Sequence, residues 1–159
     1  MGRFLQYVKS PLGWVEIAAD NEAIVSVLFF DRKEKAEIHS SLTEECAQQF
    51  DEYFRSERKR FDLPLHPSGT QFQLLVWTEL QKIPFGKTIS YLQLARRLGD
   101  EKKIRAAGTA NGKNPISIII PCHRVIGSDG SLVGYGGGLW RKKWLLEFES
   151  GKQQTQLEL

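Results

Sequence analysis

Apolar and polar positions alternate along the first thirty residues and then change period. Residues 4–9, 14–19 and 24–30 are rich in β-branched and aromatic side chains. They are separated by Ser10-Pro11-Leu12-Gly13 and Asp20-Asn21-Glu22, both good turn chemistry, so a small antiparallel sheet of three strands is predicted. Residues 31–41 are polar and read as a loop. Thr43 is the expected N-cap of a following helix, with Glu44 and Glu45 in its first turn and Leu42 and Ala47 at staple spacing. Cys46, Phe50, Tyr53 and Phe54 share one helical face, which makes Cys46 a core residue.

Leu63-Pro64-Leu65-His66-Pro67-Ser68-Gly69 reads as a connection, after which the pattern turns helical. Phe72, Leu75, Val76, Leu80 and Ile83 repeat with helical period until Pro84-Phe85-Gly86. Ser90 or Thr88 caps the next helix, whose apolar face is Leu94, Ala95 and Leu98 and which stops at Gly99. Asp100 caps a third helix that carries Arg105-Ala106-Ala107-Gly108 and ends near Asn111-Gly112. Two short helices around a glycine-containing turn form a helix-turn-helix candidate. Residues 116–120 read as a buried extended segment, Gly127-Ser128-Asp129-Gly130 as a turn, and 134–138 as a glycine-dense loop around Tyr135. A final helix over 140–149 is expected to turn Trp140, Trp144, Leu145 and Phe148 inward. The fold class is therefore α+β: an antiparallel-sheet N-terminal domain over 1–65, a mostly helical domain with a helix-turn-helix over 66–150, and a disordered tail over 151–159.

Bulk composition changes this picture little. The chain has 159 residues, 41% hydrophobic and 26% charged, as expected of a soluble globular protein. No apolar run approaches bilayer length, and the first residues lack a secretory signal, so a cytoplasmic protein is expected. Its two cysteines, Cys46 and Cys122, fit a reducing compartment. A net charge of +3 is mild. Its distribution says more: Arg96, Arg97, Lys102, Lys103, Arg105 and Lys113 form a basic stripe against only Asp100 and Glu101. Such a stripe can track phosphates, although a solvated face has the same composition.

Cys122 is the strongest candidate nucleophile, because a thiolate is the best nucleophile among ordinary side chains once a base or positive surroundings help it ionise. His123 is adjacent but need not touch it; a water can bridge them, and Glu149 can orient the imidazole. Bare Cys-His adjacency is equally the mark of a buried thiol and a satisfied core histidine. The glycines at 134–138 fit no phosphate-cradling fingerprint. His39, Cys46, His66, Cys122 and His123 include no paired zinc-ligand spacing, so no metal is expected.

The longer string decides between these readings. Asn114-Pro115-Ile116-Ser117-Ile118-Ile119-Ile120-Pro121-Cys122-His123-Arg124-Val125-Ile126 resembles the active-site signature of the O6-alkylguanine-DNA alkyltransferases. The resemblance runs upstream through Pro84-Phe85-Gly86-Lys87-Thr88-Ile89-Ser90-Tyr91 and Arg105-Ala106-Ala107-Gly108. Downstream it takes in Gly134-Tyr135, Gly137-Gly138-Leu139 and Trp144-Leu145-Leu146-Glu147-Phe148-Glu149. It covers nearly all of residues 70–150, and only loosely the N-terminal part.

The resemblance implies direct-reversal DNA repair on double-stranded DNA by a monomer. A damaged guanine would be flipped out of the stack, since O6 is unreachable while the base stays stacked. Its alkyl group would pass once and irreversibly to Cys122, with no cofactor required and O4-alkylthymine a further candidate substrate. By match to the motif, His123 acts through a water as base, Glu149 polarises His123, and Asn114 is a hinge asparagine. Tyr91 turns the target phosphate and donates toward guanine N3; Arg105 is the finger that fills the vacated stack. Ala106, Gly108 and Lys113 join Arg105 and Tyr91 as DNA contacts. Val125, Tyr135, Gly136, Ala110 and Ser117 line the pocket, with the Cys122 and Val125 carbonyls accepting from the exocyclic amine. Departures from the family pattern include Ala107 for valine, Ser117 for proline, and the polar Thr109 and Asn111 on the recognition helix. Other classes remain as alternatives. A lesion sensor would lack the reactive cysteine, and a Cys-His thiol hydrolase would need an oxyanion hole and peptide groove.

Overall fold

The computed structural model describes residues 3–151. The tail expected beyond Gly151 lies outside the described residues. The described residues form two compact units, one of residues 3–68 with 115–119 and one of residues 69–114 with 120–151.

In the first unit, β1 (Phe4–Ser10), β2 (Gly13–Ala19) and β3 (Ile24–Phe30) form an antiparallel sheet in the order β1-β2-β3. The turn residues act as the sequence suggests. Asp20 Oδ1 accepts from the Glu22 and Ala23 amides at 2.7 and 2.8 Å and closes the second hairpin. Both sheet edges are covered: Ile38 bridges Leu5, while Leu65 and Ile116 bridge Ile24 and Val27. Part of each edge strand's outward backbone is thereby paired within the unit. Helix α1 (Ser41–Phe54) packs on the sheet through Cys46, Phe50 and Tyr53, all fully buried.

The cap of α1 is Ser40 rather than Thr43. Thr43 is instead its reciprocal partner: Ser40 Oγ accepts from the Thr43 amide at 3.2 Å and Thr43 Oγ1 accepts from the Ser40 amide at 2.8 Å. Two hydroxyl residues three apart satisfy each other, and the earlier one begins the helix. With this start, Leu42 and Ala47 no longer occupy the staple positions.

The second unit comprises α2 (Gln71–Leu80), α3 (Tyr91–Arg97), α4 (Ile104–Gly112), α5 (Leu139–Ser150) and a short parallel pair of β4 (Ile89–Ser90) with β5 (Val125–Ile126). α2 and α3 both pack on α4. Helix α2 ends before Ile83, and its buried side chains are Val76, Trp77 and Leu80, whereas Leu75 is exposed. The helix presents a face centred on Trp77, whose bulk needs a neighbour without a side chain: a Cβ on Gly69 would lie 2.5 Å from the ring. Ser90 caps α3, and Gly99, at φ +95°, follows its end. Asp100 caps a 3-10 turn that leads into α4.

Residues 116–120 are not extended. Ile116 makes one bridge, and Ile118 then adopts φ +70°. The Ile119 amide donates to the Ser117 carbonyl at 2.8 Å, closing a γ-turn of the rarer, strained hand. A second γ-turn, of the ordinary hand, is centred on Pro121 (φ −83°, ψ 64°), with the Cys122 amide donating to Ile120 at 2.8 Å. The β-branched run favours a strand locally, but prolines at both ends force compact turns.

Helix α5 also differs from its expected orientation. Trp140 is 54% exposed, Trp144 and Phe148 are half-buried against each other, and the inward positions are Lys142, Leu145 and Glu149. Among the described residues no helix is long and apolar enough to cross a membrane.

Candidate active site

The site is assembled on the C-terminal end of α4. Trp77 Nε1 donates to the Ala110 carbonyl at 2.9 Å, fixing the last turn of α4. Two asparagines follow. Asn114 Nδ2 donates to the Ile120 carbonyl at 2.7 Å, and Asn111 Nδ2 donates to the Cys122 carbonyl at 3.2 Å. These bonds hold a segment without regular structure, residues 120–122, against a helix end, so the position of Cys122 is set from α4.

Cys122 lies in a 3-10 turn (Cys122–Arg124) and is 4% exposed. Burial pushes its thiol up to about 11, opposed by a hydrogen bond from Asn114 and by the charge of Lys142. The resting form at neutral pH is therefore the thiol. Cys46 is raised further still, chiefly by burial, which marks it as inert core.

His123 is fully buried. Its Nε2 lies 2.9 Å from Glu149 Oε2, so Nε2 carries the proton and donates to the carboxylate. That leaves Nδ1 as the proton acceptor, and it has no hydrogen-bond partner among the described residues. Arg124 completes the arrangement. Its Nε and Nη2 donate to the two oxygens of Glu149 at 2.8 and 2.9 Å, and Nη1 donates to the Ile83 carbonyl at 2.7 Å. Burial alone would raise the Glu149 carboxyl, but the charges and hydrogen bonds of His123 and Arg124 outweigh it and hold it ionised. Burial also keeps His123 neutral, against the pull of Glu149. Since Arg124 already balances the carboxylate, the imidazole need not become a cation to complete the pair.

Tyr91 donates its hydroxyl to the Val133 carbonyl at 2.9 Å. Lys142 donates to the same carbonyl at 2.8 Å and to the Tyr91 hydroxyl at 3.3 Å. Lys142 is fully buried, and burial draws its ammonium down to about 8 despite the opposing influence of Cys122. Tyr91 is raised by burial and by the nearby Cys122, with a hydrogen bond from Asn111 acting the other way.

Cys122, Asn114 and Tyr91 are thus tied together through Asn111 and Lys142, while His123, Glu149 and Arg124 form a hydrogen-bonded cluster of their own. The remaining positions named from the sequence are spread more widely. Arg105, Ala106 and Lys113 are exposed on or just beyond α4, and Gly108 lies beside the Tyr91 ring. Ala110 and Val125 are buried, Tyr135 is 9% exposed, and a Cβ on the exposed Gly136 would lie 3.6 Å from the Gly112 carbonyl. Ser117 belongs to the first unit, where its amide donates to Val27 at 3.1 Å. Asn111, grouped by sequence with the polar positions of the recognition helix, is fully buried and faces Cys122.

Sequence reasoning missed Lys142 and Arg124. For Lys142 a signal existed: with Leu145 and Glu149 it shares the i, i+3, i+7 spacing of one helical face. Arg124 gave none beyond its place in the motif. Among the described residues no cluster of three or more His, Cys, Asp or Glu could hold a metal ion.

Comparison with known proteins covers both units. The family described as 6-O-methylguanine DNA methyltransferase, DNA binding domain, matches residues 71–151, and its ribonuclease-like domain matches residues 4–67. The methylated-DNA–protein-cysteine methyltransferase of Methanosarcina acetivorans is 44% identical over 147 residues, covering 89% of this chain and 94% of the relative. That of Mycobacterium leprae is 41% identical over 155 residues, 94% of each. A crystal structure of the Mycobacterium tuberculosis O6-methylguanine methyltransferase has a TM-score of 0.86 at 37% identity, with 94% of each chain covered. One of Mycobacterium tuberculosis OGT in complex with DNA has a TM-score of 0.85 at 38% identity, with 92% of each covered.

Proposed function

Because the chain belongs to the O6-alkylguanine-DNA alkyltransferase family, we propose that it repairs alkylated DNA by moving the alkyl group of O6-alkylguanine onto Cys122. The observation that carries this reading is a buried thiol that feels the charge of the buried Lys142 ammonium and is followed directly in the chain by a neutral imidazole anchored on Glu149. It works on double-stranded DNA as a cytoplasmic monomer, with residues 66–150 carrying both DNA binding and transfer.

The step is an in-line displacement. As the bond from Sγ to the alkyl carbon forms, the bond from that carbon to O6 breaks, and guanine leaves with the electron pair. His123 Nδ1 takes the thiol proton through a bridging water. Glu149 fixes the tautomer that makes this possible, and Arg124 fixes Glu149. Lys142 favours the thiolate electrostatically and, through Tyr91, the delivery of a proton to guanine N3, which neutralises the leaving anion. Asn114 holds the nucleophile in register. Arg105, with Ala106, Gly108 and Lys113, meets the duplex and supports the everted nucleotide, while Tyr135, Gly136, Val125 and Ala110 shape the pocket. The product is a thioether, which has no easy leaving chemistry, so each molecule acts once.

The test is intact mass after incubation with duplex bearing O6-methylguanine. One methyl mass should appear per protein and map to Cys122. Cys122→Ala should bind the lesion and gain no mass. Label on another residue, repeated turnover, or a folded protein that gains no mass would refute the proposal.

A further inference from the structure

The glycine-dense loop over 134–138 is hinged at both ends and tied at both ends. Gly134 and Gly138 stand at φ +58° and +94°, a left-handed conformation that side chains resist, so the segment between them can pivot at little cost. Two consecutive side chains of α5 oppose that freedom. Lys142 donates to the Val133 carbonyl at 2.8 Å, just before the first hinge, and Arg141 Nη1 donates to the Gly137 carbonyl at 2.8 Å, just before the second. The loop reaches from Tyr91 to the end of α4. A Cβ on Gly134 would lie 4.0 Å from the Tyr91 hydroxyl, and one on Gly136 would lie 3.6 Å from the Gly112 carbonyl. Tyr91 feels the Cys122 charge and the α4 end holds the Cys122 segment, so the loop borders the surroundings of the thiol.

Trp140 accounts for the aim of Arg141. The indole is exposed and adds little to the core, yet the Arg141 guanidinium lies 4.6 Å over its ring. A flat cation stacked on an aromatic face keeps its fork in one direction, which an ammonium on a flexible stem does not. The stack turns Nη1 toward the Gly137 carbonyl and removes in advance much of the freedom that the hydrogen bond would otherwise have to take from a long side chain. A Cβ on Gly138 would lie 3.5 Å from Trp140 Cδ1, so the indole also rests against the second hinge.

We propose that Arg141, aligned by Trp140, is a positioning residue that fixes the pocket wall carried by Tyr135 and Gly136 and so limits the size of the alkyl group that reaches Cys122. The inference rests on the reading of Cys122 as alkyl acceptor and of Tyr135 and Gly136 as pocket lining. It deepens that reading by assigning selectivity among O6-alkylguanines to two side chains of α5. With the tie intact the wall stays where a methyl group is held. Without it the loop pivots on Gly134 and Gly138, yields to a longer chain and holds a methyl less well. A pocket discriminates against added methylenes only as far as its walls resist displacement.

The experiment compares transfer rates from duplexes carrying O6-methylguanine or O6-butylguanine in wild type, Arg141→Met, Trp140→Ala and Trp140→Phe. The butyl-to-methyl ratio is taken on one preparation of each protein, so loss of active fraction cancels. Arg141→Met should raise the ratio by about tenfold, the worth of roughly one hydrogen bond to a charged group. Trp140→Ala should raise it by about threefold, the worth of roughly one exposed cation–π contact, and Trp140→Phe, which keeps a ring under the guanidinium, should stay within about twofold of wild type. A ratio unchanged in Arg141→Met or in Trp140→Ala overturns the proposal. So does an equal rise in Trp140→Phe and Trp140→Ala, since the ring would then not be what aligns Arg141. Hydrogen exchange needs no substrate and gives a second reading. Residues 134–138, whose Gly138 amide donates to the Tyr135 carbonyl at 3.0 Å, should exchange about tenfold faster in Arg141→Met while α4 exchanges as in wild type. Unchanged exchange in the loop overturns the proposal. Wild type that gains no methyl from O6-methylguanine would instead refute the underlying reading.

Discussion

Arg124 grips Glu149 with two parallel hydrogen bonds of 2.8 and 2.9 Å, and the same carboxylate holds His123 at 2.9 Å. The imidazole is thus positioned by a group that is itself positioned, in a site where all three side chains are nearly inaccessible to solvent. Removing one member of a buried, hydrogen-bonded pair strands the other. Arg124→Met should therefore cost about 3–5 kcal/mol in denaturant unfolding. Glu149→Gln should unfold less readily than Arg124→Met and still lose most of its transfer rate, because the amide can present a donor to Nε2 and reverse the tautomer. Stability of Arg124→Met within about 1 kcal/mol of wild type would show that the pair is solvated in solution.

Lys142 should trade stability for activity. Its folded pKa of about 8 lies below the ordinary value of 10.5, so between these limits the unfolded chain binds more protons and stability rises with pH. The penalty of the buried ammonium is fully present below about pH 8. Lys142→Met should raise stability at pH 7 by about 1–4 kcal/mol and remove the pH dependence between 8 and 10.5. Denaturant midpoints at pH 7 and 10 check this; a Lys142→Met protein less stable at pH 7 would contradict it.

The rate of transfer should follow the same groups. With the thiol pushed up to about 11, its ionised fraction grows about tenfold per pH unit through the neutral range. Single-turnover rates should climb until about pH 8 and bend there as Lys142 loses its charge. In Lys142→Met the rate should be lower throughout and the bend absent. A flat profile from pH 6 to 9 would show that thiol ionisation does not limit the reaction.

Ile118 should reverse the usual ranking of alanine over glycine. At φ +70° a β-branched residue carries a backbone strain of about 1–2 kcal/mol, which only its burial justifies. Both Ile118→Ala and Ile118→Gly lose that packing, but glycine also releases the strain. The glycine variant should be the more stable of the two by about 1 kcal/mol in thermal or denaturant unfolding. Equal stability would place the strain elsewhere.

Arg105 is exposed on α4. Arg105→Ala should slow transfer from duplex DNA by about tenfold or more while leaving reaction with free O6-benzylguanine within about twofold, because only the duplex must surrender a stacked base. Equal loss on both substrates would tie Arg105 to the chemistry itself.

Much of this molecule was legible locally. Alternation with Ser10-Pro11-Leu12-Gly13 and Asp20-Asn21-Glu22 between the runs gave three strands in their observed places, because hairpins are written in adjacent residues. Ser90, Gly99 and Asp100 marked the helix ends of the second unit for the same reason. The start of α1 was misplaced from sequence at Thr43, because Ser40, three residues earlier, offers the same hydroxyl and takes the cap. The string around Cys122 identified the nucleophile and its family.

The sequence by itself determined the strands, most helix ends, the reactive thiol and the family to which it belongs. Only the tertiary structure decided what surrounds that thiol. Lys142 reaches Tyr91 across 51 positions, Arg124 reaches Ile83 across 41, and His123 reaches Glu149 across 26. A lysine or arginine in isolation is a surface residue by every compositional expectation. Whether it is buried, and whether its charge then favours a thiolate or steadies a carboxylate, depends on partners that the chain supplies only after it has folded.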